Sequence, residues 1–181
     1  MKKSFMLVAA AFLAFAGTAA AQNSASTTGH ASARVILPIT IGEDQTLAFG
    51  GFFAGATSGT VDIATNGVSG ATGTRTSTGG VTLYTGSQAG AWHQNEFSIE
   101  GEIGFTYTTV ITNNTFNLTG PGSPMSCTMT APVANGGGSV TVVGGESPDN
   151  DDVFRGGSLS VAAFQASGSY AGTFTYAVAY N

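Results

Sequence analysis

Lysine, cysteine and charge are all scarce in this chain. Of 181 residues, only 8% are charged, five are Lys or Arg, and one, Cys127, is a cysteine. A lone cysteine cannot form an intramolecular disulfide, so packing and backbone hydrogen bonds must hold the fold. Cys127 reads either as a small buried apolar residue or as a reactive thiol, and no basic neighbour in the sequence favours the thiolate. No lysine follows Lys3. A chain cleaved beyond that point is therefore excluded from Lys–Asn isopeptide cross-links and from sortase-type linkage through lysine. The remaining cations, Arg34, Arg75 and Arg155, are dispersed. They make no basic surface for nucleic acid or for anionic lipid. Beyond the first residues, no segment sustains a helical apolar period, which argues against a helical fold.

The N-terminus has the pattern of a cleavable export signal. Lys2 and Lys3 precede the apolar run Phe5 to Ala16, and Ala19-Ala20-Ala21 offers a small-residue cleavage site before Gln22. The run is too short to span a bilayer as a helix. Residues 1–21 are thus expected to be a signal peptide, and no transmembrane segment is expected in the mature chain. Losing two lysines takes the formal charge from −5 to −7. The product is expected in the periplasm, at the cell surface or outside the cell. Residues 22–33 are rich in Ser, Thr, Ala and Gly and read as a flexible N-terminal arm. Residues 34–181 read as a single domain.

That domain is expected to be all-β. Val35, Leu37, Ile39 and Ile41 alternate, and Pro38 on the other parity places their strand at an edge. Gly42 to Gln45 reads as a polar turn, followed by a short strand carrying Leu47 and Phe49. Further strands are predicted over Thr60 to Ala64, Val81 to Tyr84, Phe97 to Gly101, Phe105 to Ile111, Met125 to Ala131, Ser139 to Val143 and Gly157 to Ala163. Between them, Asn66 to Gly80 reads as a long loop and Gly86 to Glu96 as irregular. About nine to eleven short strands with Gly-rich turns predict a β-sandwich, with an immunoglobulin-like topology the first choice. No fixed-period repeat is visible.

The last stretch, Gly168 to Asn181, is the most patterned. Tyr170, Phe174, Tyr176, Val178 and Tyr180 share one parity with Gly172, and small residues take the other. A strand ending the chain has no later partner, so something must cover its aromatic face and an edge.

Catalytic groups are sparse. His30 and His93 are the histidines, and no Gly-x-Ser-x-Gly elbow is present. Glu96, Glu100 and Glu102 read as a solvated strand face rather than as a catalytic carboxylate pair. Asp149, Asn150, Asp151 and Asp152 offer hard oxygen ligands suited to Ca²⁺, in an order that does not match an EF-hand. The alternative is an acidic solvated loop. Trp92 with Tyr84 and His93 reads as a packing cluster or as a glycan-stacking patch. Asn113-Asn114-Thr115 and Asn117-Leu118-Thr119 are formal glycosylation sequons that otherwise read as a polar turn. No cofactor is expected.

Several motifs together resemble the domain-of-unknown-function 4402 family. They are Pro38-Ile39-Thr40-Ile41, Leu47-Ala48-Phe49-Gly50, Gly59-Thr60-Val61-Asp62-Ile63, Gly79-Gly80-Val81-Thr82-Leu83, Phe97-Ser98-Ile99-Glu100-Gly101, Gly156-Gly157-Ser158-Leu159-Ser160-Val161 and Tyr170 to Asn181. The resemblance implies a secreted bacterial β domain and no particular reaction. The last stretch also resembles the C-terminal strand of chaperone–usher pilus subunits, with Tyr180 penultimate, Gly168 fourteenth from the end and large residues in phase between. That resemblance implies a groove, filled first by a periplasmic chaperone and then by the arm of another subunit. Gly168, Tyr170, Gly172, Phe174, Tyr176, Val178 and Tyr180 would contact the incoming strand. Val35, Leu37 and Ile39 would be the donor residues, unless they complete the chain's own fold. The chain departs from the pattern in lacking a disulfide and in having small residues along its arm.

The expected function is a non-enzymatic envelope or surface protein, a pilin-like subunit pairing with copies of itself or with other envelope subunits. A monomeric module binding glycan or Ca²⁺ is the alternative. A small outer-membrane barrel fits less well, because its strands need roughly 9–11 residues and the chain ends on Asn181.

Overall fold

The computed structural model describes residues 24–134, 142–143 and 152–181. The predicted signal peptide and two of the proposed Ca²⁺ ligands, Asp149 and Asp151, lie outside the described residues. Ile36 to Asn181 forms one compact unit, and the residues up to Val35 form another. In the latter, Ser24 to Val35 is exposed and has no regular secondary structure.

Among the described residues there is no helix, and sixteen short strands build the domain. They are β1 (Thr40–Gln45), β2 (Ala48–Phe49), β3 (Phe52–Ala54), β4 (Gly59–Ala64), β5 (Thr74–Ser77), β6 (Val81–Leu83), β7 (Trp92–His93) and β8 (Asn95–Glu100). Then come β9 (Thr106–Ile111), β10 (Thr115–Leu118), β11 (Met125–Met129), β12 (Val133–Ala134), β13 (Val142–Val143), β14 (Val153–Arg155), β15 (Gly157–Val161) and β16 (Tyr176–Tyr180). The expected all-β, sandwich-like architecture is present, with more and shorter strands than the sequence predicts.

The five-stranded sheet β10-β11-β15-β4-β5 carries the main core. Its strands alternate as a one-sided sheet should: Val61 and Ile63 on β4, Leu159 and Val161 on β15, and Met125, Cys127 and Met129 on β11 are buried. Cys127 lies opposite Leu159, which lies opposite Val61, so one apolar row crosses the sheet. Phe49 and Val81 close over it, with Leu47, Phe52, Leu83 and Trp92 packed around them. Each such side chain contributes about 1.5–3 kcal/mol when fully buried.

The four-stranded sheet β1-β8-β14-β12 and the three-stranded sheet β13-β9-β16 share a second, smaller core of Ile99, Tyr107 and Val153, with Ile39, Tyr176, Val178 and Tyr180 against it. Aromatic rings join the two cores. Phe97 stacks on Tyr176 at 4.5 Å and meets the edge of Phe174 at 6.1 Å, and Phe174 lies 5.1 Å from Phe116.

Several boundaries differ from expectation. The first strand begins at Thr40, not Val35, and runs through Gly42–Gln45, which had the composition of a turn. The reason is tertiary: Ile41 to Glu43 pair with Phe97 to Ile99, and Asp44 forms a bulge before Gln45 rejoins Glu96. The expected loop Asn66 to Gly80 contains β5, which pairs with β4. The stretch read as irregular, Gly86 to Glu96, contains β7 and the start of β8. The sequon stretch read as a polar turn contains β10, with Phe116 and Leu118 half-buried and Thr115 and Asn117 exposed. The terminal strand is confined to Tyr176–Tyr180; before it only Ala171 makes a bridge, to Thr119.

Candidate functional site

The C-terminal stretch keeps its predicted parity although only its end is a strand. Tyr170, Phe174, Tyr176, Val178 and Tyr180 are half-buried, while the odd-numbered residues from Ala171 to Ala179 are exposed. Two glycines let it lie close to its neighbours. A side chain at Gly172 would meet the Asn117 carbonyl oxygen at 2.5 Å, and Gly168, at φ 141°, would meet Pro121 Cγ at 2.5 Å. Tyr170 then pins the turn before it. Its hydroxyl accepts from Gly122 N–H at 3.0 Å and Gln165 Nε2 at 2.8 Å and donates to the Ala166 carbonyl at 2.9 Å.

This course leaves a groove. One wall is Ile41 to Glu43 of β1, and the other is Ala171 to Tyr176. The floor is Leu47, Phe49, Phe97, Phe116 and Leu118, and the volume is about 600 Å³. A second cavity of about 710 Å³ lies between Leu47–Ala54 and Gln165–Tyr170, above Leu118, Met125 and Leu159. The two share Leu47, Phe49, Leu118 and Tyr170 and so adjoin, forming a channel lined about equally by polar and apolar groups. Among the described residues, β1 and β16 each end their sheet, with no strand on the outer side of either. Unpaired backbone N–H and C=O groups beside an apolar floor are what an added strand requires.

A family model for the Domain of unknown function (DUF4402) matches residues 39–180. The chain belongs to this family. No curated protein and no solved structure matches it. The DUF4402 match begins at Ile39, just before β1, and ends at Tyr180, so it contains both walls and the floor of the groove and leaves the arm outside.

The proposed donor residues divide. Val35 is 93% exposed, whereas Ile39 packs against the smaller core of its own chain. Leu37 has an exposed side chain but a tied backbone: its N–H donates to Glu102 Oε2 at 2.8 Å and its carbonyl accepts from the Tyr180 hydroxyl at 2.8 Å.

The carboxylates are arranged otherwise than expected. Glu96 does not belong to a solvated face; it is 4% exposed. Its carboxylate accepts from the Ser69 hydroxyl and from Gly70 N–H at 3.0 Å. Sequence reasoning missed it because β8 is covered on both faces at Asn95–Phe97. Asp152 is also buried; it meets Glu96 and the exposed Asp44, all with ligand oxygens within 4.8 Å of one another. These are hard donors of the kind a divalent cation takes, although both Glu96 oxygens already accept hydrogen bonds. Glu100 is exposed, as a solvated residue should be.

Trp92, Tyr84 and His93 each make separate contacts within the domain. Trp92 lies half-buried against the main core, and the Arg75 guanidinium sits over its ring at 5.2 Å. Burial lowers the pKa of Arg75. Tyr84 meets Phe53 edge-on at 5.5 Å, and the His93 imidazole bonds the Thr46 carbonyl through Nδ1. His30 is exposed in the arm. Cys127 is fully buried, and desolvation pushes its thiol up to about 12. At that value it is not a thiolate near neutral pH.

Sequence reasoning did not assign Leu47, Phe49, Phe116 and Leu118 to the site. Their pairwise alternation was the available signal, and for Phe116 and Leu118 it was masked by the intervening Asn117 and the flanking Thr115 and Thr119.

Proposed function

We propose that this protein is an exported, non-enzymatic structural component of a bacterial envelope or cell surface, a pilin-like subunit that takes an extended segment into its groove. The observation that carries this reading is a groove over an apolar floor, bounded on one side by β1, whose outer edge has no partner among the described residues, and on the other by Ala171 to Tyr176, which leads into the edge strand β16. A strand laid there would gain backbone hydrogen bonds from the free edge of β1 and register from pockets for alternate side chains. The occupant is the N-terminal arm of another copy, or of another envelope subunit, with a periplasmic chaperone holding the groove beforehand. Of the donor residues, Val35 is the most available; Ile39 is engaged in its own chain. A head-to-tail exchange of this kind does not close and builds a filament.

The test is light scattering on the chain beginning at Gln22, refolded without a chaperone, beside a variant lacking residues 22–35. Concentration-dependent oligomers from the longer chain and monomers from the shorter support the reading. Stable monomers from both sink it. In that event the cluster of buried Glu96 and Asp152 with exposed Asp44 favours the alternative, a monomeric module that binds a divalent cation. A rise in melting temperature on adding Ca²⁺, lost in Asp152→Asn, would mark it.

A further inference from the structure

The groove's supposed donor begins where the arm leaves the domain, and that point is held in an unusual way. Ile36 and Leu37 are 44% and 53% exposed, so burial does little to fix them. Pro38 has no N–H to contribute. What holds Leu37 is a closed ring of three hydrogen bonds between distant parts of the chain. Its N–H donates to Glu102 Oε2 at 2.8 Å, the Tyr180 hydroxyl donates to its carbonyl at 2.8 Å, and Glu102 N–H donates to the same hydroxyl at 2.6 Å. Tyr180 is itself well seated. Its ring meets Phe105 at 5.6 Å, and a side chain at Gly101 would come within 2.8 Å of its hydroxyl.

We propose that Tyr180 and Glu102 form a latch on the root of the arm, and that opening it lengthens the segment another copy can take up. The proposal rests on the strand-accepting reading of the groove and adds its regulation. With the latch closed, the chain available for donation ends at about Val35, behind which lie small residues. With it open, Leu37 joins Val35 on the same parity, and the donor acquires a second large apolar side chain two residues on. The latch and the groove also meet on one element: Tyr176 at the start of β16 lines the groove, and Tyr180 at its end closes the latch.

The experiment uses the full mature chain and two variants. Tyr180→Phe keeps the ring and removes the hydroxyl; Glu102→Ala removes the acceptor for Leu37. Hydrogen exchange is followed at the amide of Leu37, with Ile41–Glu43 of β1 as an internal control, and association is followed by light scattering. In Tyr180→Phe, exchange at Leu37 should quicken roughly tenfold to a hundredfold, the worth of two ordinary hydrogen bonds, while β1 is unchanged. Association should begin at a severalfold lower concentration. Unchanged exchange in both variants overturns the latch, whatever association does. Faster exchange with unaltered association overturns its regulatory role. Faster exchange in a chain that never associates supports the latch as a tether and overturns the reading of the groove.

Discussion

The five-stranded and four-stranded sheets follow the same antiparallel rule and are stabilised differently. In the five-stranded sheet β4, β11 and β15 bury one face each, and the residues in that core are all apolar. In the four-stranded sheet β8 and β14 are covered on both faces. Asn95, Glu96 and Phe97 are buried in succession, as are Val153, Phe154 and Arg155. The polar members of those runs need individual partners. Asn95 donates to Glu43 and to the Gln45 carbonyl, Glu96 accepts from Ser69 and Gly70, and Arg155 donates to the Thr130 carbonyl and lies over the Tyr176 ring at 4.9 Å. Among the described residues, Asn95 Oδ1 and Arg155 Nε still find none. One sheet is thus held by many interchangeable contacts and the other by a few specific ones. The second is also the sheet whose edge strand walls the groove.

The largest expected effect tests the first half of that contrast. Leu159 is 1% exposed at the centre of the apolar row. Leu159→Ala should cost about 2–5 kcal/mol, the transfer of the lost atoms plus a cavity. Urea denaturation should show a lower midpoint with an unchanged slope. A loss below about 1 kcal/mol would mean that this core is loosely packed and that the contrast is misdrawn.

A smaller effect tests the polar half, where two terms oppose each other. Charge-assisted hydrogen bonds to Glu96 are worth about 1.5–3 kcal/mol each. Against them stands repulsion from its carboxylate neighbours: at 4.8 Å, the outer limit within the trio, a pair repels by roughly 3 kcal/mol at an effective dielectric of 20. Glu96→Gln keeps one acceptor and removes the charge, so the terms nearly cancel and stability should stay within about 1 kcal/mol of the parent. Glu96→Ala leaves the Ser69 and Gly70 donors without their acceptor and should cost about 2–4 kcal/mol. Equal losses in the two variants would show that the carboxylate charge itself is needed at this position, as it would be beside a cation.

The same contrast explains what could be read from the residues alone. Val61 with Ile63, and Leu159 with Val161, announce their strands because a one-sided sheet leaves a period of two. Asn95 to Phe97 cannot do so, since a strand covered on both faces loses the alternation and its polar residues imitate a surface. Gly42 to Gln45 is a strand because Phe97 to Ile99 lies beside it, a long-range pairing that no local propensity reports. The parity of the last stretch was legible to the residue, from Tyr170 to Tyr180. The groove was not, because it is defined by which edges remain unpaired after every other strand has found its place. Phe116 and Leu118 show the remaining difficulty: two floor residues lie inside a stretch whose Asn and Thr carry the turn signal.

The smallest expected effect on stability is the most informative about function. Thr173 is exposed, lies outside any strand and forms part of one wall of the groove. A lysine there would place a long charged side chain at the mouth of the channel, the device by which edge strands commonly refuse partners. Because Thr173 is exposed, Thr173→Lys should leave the unfolding free energy within about 0.5 kcal/mol of the parent. If the groove is the surface through which copies associate, the concentration needed for association should rise at least about tenfold, the equivalent of about 1.4 kcal/mol. The two readings come from the same sample, one by denaturation and one by light scattering. Their separation is the point of the experiment: lost association with intact stability places assembly at this wall, whereas intact association moves it to another surface and leaves the channel as a cleft between two differently built sheets.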